Sequence, residues 1–461
     1  MNFPLICAAT YKIWAVMKEQ PCPWGVFPSA PDILPTNHPL TLAKLSGWVT
    51  ECATRHECGH PQEPEKGQLP PLPSRVLYIG SFQDDVRLVL SAGARANYAC
   101  LSHCWGASQL LKTTKSSLDK HLERIPWNDM PRTFRDAIAV TRYLRLQYLW
   151  IDSLCIIQDD REDWKTESAS MANIYANSFL TIAATSAMGA ASGFLTDAGN
   201  ILAQVADGGG GGNGDKGYDV RVRADIHHPL FEGSTDGRGR NLFWSLDHWP
   251  LLKRGWIFQE RMLSPRVLHM GRPEMIWECN KEMKCECGVL DSNEGQKAIF
   301  WKKIASLRSS LSFEEHIPSA NSFGDDGPPD EFDSLWWDII RTYTHLDLTY
   351  HSDKLPALSG LTKIMKSARP RNEYLAGLWS DKLLPGLLWR AAASGSMLID
   401  GGGPPVRFRF VRASSLTDWR GPDRLSLSCR EPLWGGGEGG PPSWSWASQP
   451  RRKILHSTLN R

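Results

Sequence analysis

Between Leu146 and Ser186 the chain reads LQYLWIDSLCIIQDDREDWKTESASMANIYANSFLTIAATS, two apolar runs enclosing a polar segment. The first run is nearly all apolar up to Asp152, as expected of a strand covered on both faces. The enclosed segment, about Asp160 to Ala176, places Trp164, Met171, Ile174 and Tyr175 at helical spacing. SFLTIAATSA then reads as a second strand. A strand, a helix and a strand in this order predict a right-handed crossover in a parallel sheet. The first strand ends in an aspartate where its loop opens, and a carboxylate there is costly to bury without a partner.

The pattern starts earlier. YACLSHCWG reads as a buried strand closing in a glycine turn, and PRTFRDAIAVTRYLRL as a helix behind Pro131, with Thr133 and Asp136 spaced as a capping box. Phe134, Ala137, Ile138, Thr141 and Leu144 share one face of that helix. Residues 1–97 are irregular by comparison. Pro-rich connectors flank one helical piece, LAKLSGWVTECATRH, with Leu42, Leu45, Trp48, Val49 and Cys52 on its docking face, and the strand candidates SRVLYIG and DVRLVL follow. Residues 199–240, with GGGGGNGDKG and GSTDGRGRN, cannot bury apolar area and are expected to be a flexible surface insertion. Order returns at KRGWIFQERMLSPRVLHMGRPEMIWECN, a helix followed by strand-like pieces. A mainly helical stretch follows the acidic loop SANSFGDDGPPDEFD, and the tail ends near PSWSWAS.

At 461 residues the chain is long enough for a sizeable core and for two or three domains. Its 52 Lys+Arg balance 50 Asp+Glu, which excludes a strongly basic field for nucleic acid. No apolar run approaches the roughly 18 residues needed to span a bilayer. The short apolar N-terminal segment has no basic leader and is interrupted at Lys12, so no secretory signal is expected. Eleven cysteines, an odd number, fit reduced thiols in the cytosol better than a disulfide framework. The 20 tryptophans predict packed aromatic clusters.

In an open parallel sheet, ligands bind beyond the carboxyl ends of the strands. That rule singles out Ser102, His103, Trp105 and Gly106 after the first strand, and Asp152, Ser153 and Cys155 after the second. For Asp152 the competing reading is an ion pair or cap, with Arg132 or Arg254 as partner. Asp163 and Glu167 sit four apart on the following helix and share a face, either as paired carboxylates at one rim or as a solvated helix surface. A Ser102–His103–Asp152 triad is disfavoured, because adjacent strand residues point to opposite faces and no GxSxG elbow is present. Cys104 and Cys155, flanked by apolar residues, read as core thiols. The clusters CATRHECGH (Cys52, His56, Cys58, His60) and CNKEMKCEC (Cys279, Cys285, Cys287) lack paired CxxC knuckles. No metal is expected unless the two meet in space. No phosphate-binding glycine loop is present. In RGWIFQERML, Trp256, Phe258, Met262 and Leu263 form an apolar helix face with Arg254, Gln259, Glu260 and Arg261 around it. The segment is read first as the lock of the domain's last element, with Arg254 or Glu260 near enough in the pattern to reach the Asp152 rim. Trp444 and Trp446, two apart, read as a core or docking pair.

Together, YACLSHCWG, the block from MPRTF through WIDSLCIIQDD to IYANS, RGWIFQERMLSPRVLHM, and the distal DKLPALSG and PSWSWAS resemble the heterokaryon incompatibility (HET) domain family of fungi. The core of the resemblance covers about residues 98–260, flanked by regions 1–97 and 261–461. His103 stands where the family usually has tyrosine, and WIFQE where WTLQE is commoner. The resemblance implies a cytoplasmic module of allorecognition that triggers programmed cell death when unlike hyphae fuse. It also implies a distant likeness to TIR domains, flavodoxin-like sheets of which some cleave NAD and others act as assembly scaffolds. The TIR-like comparison places a catalytic glutamate on the helix after this kind of strand, which favours Glu167. The expectation is therefore an α/β, flavodoxin-like or TIR-like domain with irregular N-terminal and mixed helical and strand C-terminal flanks. Asp152 and Glu167 are its candidate catalytic groups, and Ser102, His103, Trp105, Gly106 and Ser153 its candidate substrate contacts. NAD is expected as substrate, with no bound cofactor, no nucleic acid and no membrane span. The rival is a non-enzymatic module acting by self-association or partner binding.

Overall fold

Three four-residue apolar runs decide the architecture. β3 (Ala99–Ser102) and β5 (Leu180–Ala183) are buried at every position, and β4 (Tyr148–Ile151) at all but its first. Strands hidden on both faces belong in the middle of a sheet with helices on either side. The computed structural model describes residues 33–56, 58, 68–81, 86–106, 111–196, 249–272, 274–290, 294–313 and 331–383, with short segments at 11–16, 29–30, 203–206, 219–224, 389–391, 447 and 454–456. β3 pairs in parallel with β4 on one side and β5 on the other, and β5 pairs in parallel with β6 (Arg266–Met270). Taken in chain order, these strands lie in the spatial sequence 2-1-3-4, the order of a flavodoxin-like sheet.

Antiparallel strands extend the sheet to eight. β7 (Met275–Cys279) and β8 (Met283–Cys285) lie beyond β6, and β1 (Arg75–Tyr78) and β2 (Arg87–Leu90) beyond β4. The α/β reading with a flavodoxin-like parallel core therefore holds, inside a larger mixed sheet whose edges come from both flanking regions.

The crossovers are α2 (Arg132–Tyr143) between β3 and β4, and α3 (Arg161–Ala176) between β4 and β5. α2 buries Phe134, Ala137, Ile138 and Thr141 of the predicted face, and also Thr133 and Val140; Leu144, the fifth predicted residue, is the C-cap and only half-buried. Its start differs from prediction. Pro131 is the N-cap and makes no side-chain bond. Thr133 Oγ1 donates to the Gly189 carbonyl at 3.0 Å, and Asp136 accepts from the Phe194 and Leu195 amides at 2.7 and 3.0 Å. The two side chains tie down the 189–195 loop instead of closing a capping box. α3 is capped by Asp160, which accepts from the Glu162 and Asp163 amides. Met171, Ile174 and Tyr175 are buried as expected, but Trp164 is exposed. The first half of α3 is polar on all sides, so a single tryptophan there has no apolar stripe to join.

α4 (Gly255–Leu263) precedes β6 and is buried at every residue except Trp256. It joins two cores. One is the sheet core around Phe134, Trp150 and Tyr175. The other packs Phe258, Met262 and Leu263 with α5 (Gln296–Phe313), α6 (Glu331–Tyr343) and α7 (Ser359–Ala368). Within it Phe332, Trp336, Tyr374 and Trp379 meet edge-on or tilted at 5.2–5.9 Å, one of the aromatic clusters that the tryptophan content predicts.

α1 (Pro39–Arg55) docks through Leu45, Trp48, Val49 and Cys52. Residues 199–240 are not wholly irregular. Their strands Ala203–Ala206 and Asp219–Ala224 pair with each other, and the second also pairs with Tyr11–Val16, which in turn meets Ser29–Ala30. The poly-Gly run, the 319–330 part of the acidic loop, and Trp444 and Trp446 lie outside the described residues. Among the described residues no helix is long and apolar enough to cross a membrane.

Candidate functional site

The parallel register sets Leu101 beside Ile151 and Ser102 beside Ala183, so the carboxyl ends of β3, β4 and β5 finish at one level. In the 2-1-3-4 order, β3 and β5 flank the point where the winding reverses, which is where such sheets open a crevice. Ser102, on β3, donates from its hydroxyl to the Glu260 carboxylate on α4. Tyr175, on α3, faces the same carboxylate with its hydroxyl. Burial pushes Glu260 up to about 7, and the nearby Asp152 charge adds to the rise. Ser102, Arg254 and Tyr175 oppose it. A carboxyl group held near neutrality is a proton donor and acceptor at physiological pH.

His103 points the other way, as strand alternation requires. Its ring meets Phe134 of α2 edge-on, with centroids 5.1 Å apart. It is buried, and neither ring nitrogen has a hydrogen-bond partner among the described residues. Nδ1 lies 3.8 Å from Asp152 Oδ1, too long for a hydrogen bond. Burial lowers its pKa to about 4, against the pull of Asp152, so the ring is neutral at pH 7. The His103 carbonyl accepts from Arg254 Nη1, which fixes the entry of α4 against β3.

Asp152 opens a single helical turn after β4. Its Oδ2 accepts from Trp105 Nε1 at 2.9 Å and its Oδ1 from the Ser153 amide at 2.7 Å. Neither Arg132 nor Arg254, the predicted ion-pair partners, bonds to it. Arg132 donates to the Leu195 carbonyl instead. Trp105 is 36% exposed and forms the rim. Gly106 has a φ of 79°, and a Cβ there would sit 3.0 Å from Gly189 Cα. Two backbone segments meet at that glycine, which gives it a packing role whatever it binds. Ser153 is buried, its hydroxyl has no hydrogen-bond partner among the described residues, and its carbonyl accepts from the Thr113 amide at 3.0 Å.

Glu167 belongs to a neighbouring cluster. It accepts from Ser74 Oγ and lies 3.6 Å from the Arg75 guanidinium. Arg75 also holds both Asp163 oxygens, at 2.7 and 2.6 Å, and donates to the Cys155 carbonyl at 2.7 Å. Asp163 and Glu167 thus share a face, as predicted, and that face clamps the start of β1. The partners of Glu167 and those of Asp152 have no residue in common. Cys155 and Cys104 are buried thiols, and burial raises the pKa of each, Cys155 to about 12.

The strand-end rule finds Ser102, His103, Trp105, Gly106, Asp152 and Ser153 in one region of the molecule. It does not find Tyr175, which the periodicity assigns to the core. The sequence treats Glu260 and Arg254 first as elements of a lock, with a reach to the Asp152 rim as the lesser alternative, and does not pair Glu260 with Ser102. A signal for Glu260 exists nonetheless, since a glutamate between Phe258 and Met262 on an apolar helix cannot reach water and must have a buried partner.

A flavodoxin-order α/β domain with a buried carboxyl group at its switch point is the class that fold and site define. Residues 98–260 match the family model described as Heterokaryon incompatibility protein (HET), a match that begins at Tyr98 before β3 and ends on Glu260. Residues 98–260 therefore form a heterokaryon incompatibility (HET) domain. No curated protein and no solved structure matches it.

Proposed function

We propose that the strand-end site takes a nucleotide and cleaves its N-glycosidic bond, with NAD as substrate, and that this turnover drives a cell-death response of heterokaryon incompatibility in the fungal cytoplasm. The observation that carries this reading is that two carboxyl groups of different character lie near enough beyond the strand ends for the charge of Asp152 to raise the pKa of Glu260. Glu260 is buried with a pKa near 7, and Asp152 is partly exposed beneath the Trp105 indole.

Loss of nicotinamide from NAD leaves a cationic, oxocarbenium-like ribosyl centre. A carboxylate beside it supplies the largest stabilisation, as in glycoside hydrolysis. Asp152 takes that role, oriented by Trp105 and by the Ser153 amide. The exposed Trp105 face offers a stacking surface for a nucleotide ring. Glu260, through Ser102, accepts the proton released when water completes the hydrolysis. His103 and Gly106 shape the wall, and Glu167 anchors Arg75 behind it. A second reading, a non-enzymatic signalling module working by self-association or partner binding, draws on the depth of Ser102 and Glu260, which are 1% and 9% exposed.

The test follows NAD and nicotinamide over time with the full chain. Turnover abolished by Asp152→Asn and reduced by Glu260→Gln supports the glycosidic reading. Turnover that survives both removes this site. No turnover at any protein concentration, with toxicity retained in cells, favours the scaffold.

A further inference from the structure

We infer that Cys52, His56, Cys58 and Cys279 form a structural zinc site that clamps the N-terminal helix to the edge of the sheet. The four residues come from two segments far apart in the chain. Cys52 lies in the last turns of α1, His56 is the C-cap of that helix, Cys58 follows it, and Cys279 ends β7. Their ligand atoms all lie within 4.8 Å of one another. A tetrahedral zinc with Zn–S of ~2.3 Å and Zn–N of ~2.0 Å sets S···S edges near ~3.8 Å and S···N edges near ~3.5 Å. The His56 Nδ1 to Cys279 Sγ separation is 3.5 Å.

Two further observations concern the surroundings of the ligands. Cys279 Sγ accepts from the backbone amides of Lys281 and Glu282, both at 3.4 Å, which favours a thiolate on that sulfur. His56 turns Nδ1 inward and its Nε2 outward, where Glu282 Oε2 stands 3.8 Å away. A carboxylate behind a ligating imidazole is the recurring outer partner of zinc histidines, fixing the tautomer and raising ligand basicity. All four ligands are buried or half-buried, and the cysteines are free thiols. Three thiols and an imidazole fill a closed tetrahedron with soft donors and leave no position for substrate, which selects zinc in a structural role.

The two segments are also joined by the Lys284–Glu51 ion pair at 2.6 Å and by Lys44 Nζ donating to the Glu286 carbonyl at 3.3 Å. The metal thus closes a loop of more than two hundred residues around the whole 98–260 domain, a long-range constraint of the kind a disulfide supplies in oxidising compartments. It would hold β7 and α1 in place independently of any chemistry at the strand ends.

Metal analysis of the full-length protein should find about one zinc per chain at this site. Cobalt exchange should give the visible bands of a tetrahedral ion and thiolate charge transfer in the near ultraviolet. Cys279→Ser and Cys58→Ser should each lose the zinc and the bands, and Glu282→Gln should weaken zinc retention about tenfold. If the cysteine variants are insoluble, X-ray absorption on the unaltered protein decides the matter through a first shell of sulfur with one nitrogen. The inference is overturned if the protein carries no zinc and takes up no cobalt. It is equally overturned if a disulfide joins two of these cysteines, or if zinc persists in Cys279→Ser, held for instance by Glu274, Cys285 and Cys287.

Discussion

Ser102 on β3 and Glu260 on α4, 158 residues apart in sequence, share a single hydrogen bond from hydroxyl to carboxylate inside the protein. The bond and the neighbouring Arg254 favour the charged form, but burial outweighs them and lifts Glu260 from 4.5 to about 7. The folded chain therefore binds this proton more tightly than the unfolded chain does. Its contribution to stability is complete below about pH 4.5 and is lost as pH rises to about 7, a change of ~3 kcal/mol. Glu260→Gln should remove that dependence. Urea unfolding at pH 5 and pH 8 should show the unaltered protein losing more stability than the variant over that interval. Identical losses would show that the carboxyl group is not held neutral.

His103 works in the opposite sense. Burial depresses its pKa from 6.5 to about 4, so the unfolded chain binds the proton more tightly. The stability it contributes is present above pH 6.5 and is lost as pH falls toward 4, again by ~3 kcal/mol. The windows of His103 and Glu260 overlap with opposite signs, so the unaltered protein should be nearly flat between about pH 4.5 and 6.5 as far as this pair is concerned. His103→Leu preserves an apolar contact with Phe134 and should cost under ~1.5 kcal/mol at pH 8. At pH 5 the same variant should be the more stable protein. A variant that is weaker at both values would mean that the imidazole has a bonded role the packing does not reveal.

The contrast between these two residues also explains what was legible in the sequence. The central strands were legible because YACLS, YLWI and FLTIA are apolar on both faces, and the strand-end rule then delivers Ser102, His103 and Asp152 without further information. Glu167 was legible as a helix-face carboxylate but not as a partner of Arg75, because β1 arrives from a region separated by the whole of β3 and α2. Tyr175 and Glu260 failed for a similar reason. Local periodicity says which face of a helix is buried, while the partner that makes a buried hydroxyl or carboxyl useful comes from another element. The Cys/His pair of clusters is the extreme case, since neither half has a recognisable spacing and only the docking of α1 on β7 joins them.

Arg75 carries the second charge cluster. It binds Asp163 through both oxygens and lies beside buried Glu167. Arg75→Met leaves two carboxylates facing each other with little water, and should cost ~3–5 kcal/mol. Glu167→Gln keeps an acceptor for Ser74 and should cost less, ~1–3 kcal/mol. The kinetic readout separates structure from catalysis. With Glu167→Gln folded at low temperature, NAD turnover should match the unaltered chain, whereas a loss as large as that of Asp152→Asn would move Glu167 into the catalytic pair.

The approach of Gly106 to Gly189 sets the position of Trp105 and, through its indole, of Asp152. A Cβ at Gly189 would stand 2.9 Å from Gly106 Cα, a backbone atom that no side-chain rotation can move. Gly189→Ala must therefore push the two loops apart, and overpacking of this kind costs ~1–3 kcal/mol. The displaced Trp105 should loosen its 2.9 Å bond to Asp152, so nucleotide affinity should fall together with the melting temperature. Gly47 in α1 is the matched control. Among the described residues nothing lies within 4 Å of a Cβ there, and it sits in a helix interior. Gly47→Ala should raise stability by ~0.5–1 kcal/mol and leave nucleotide binding unchanged. Equal effects at the two glycines in thermal unfolding would show that the contact between the loops does not hold Trp105 in place.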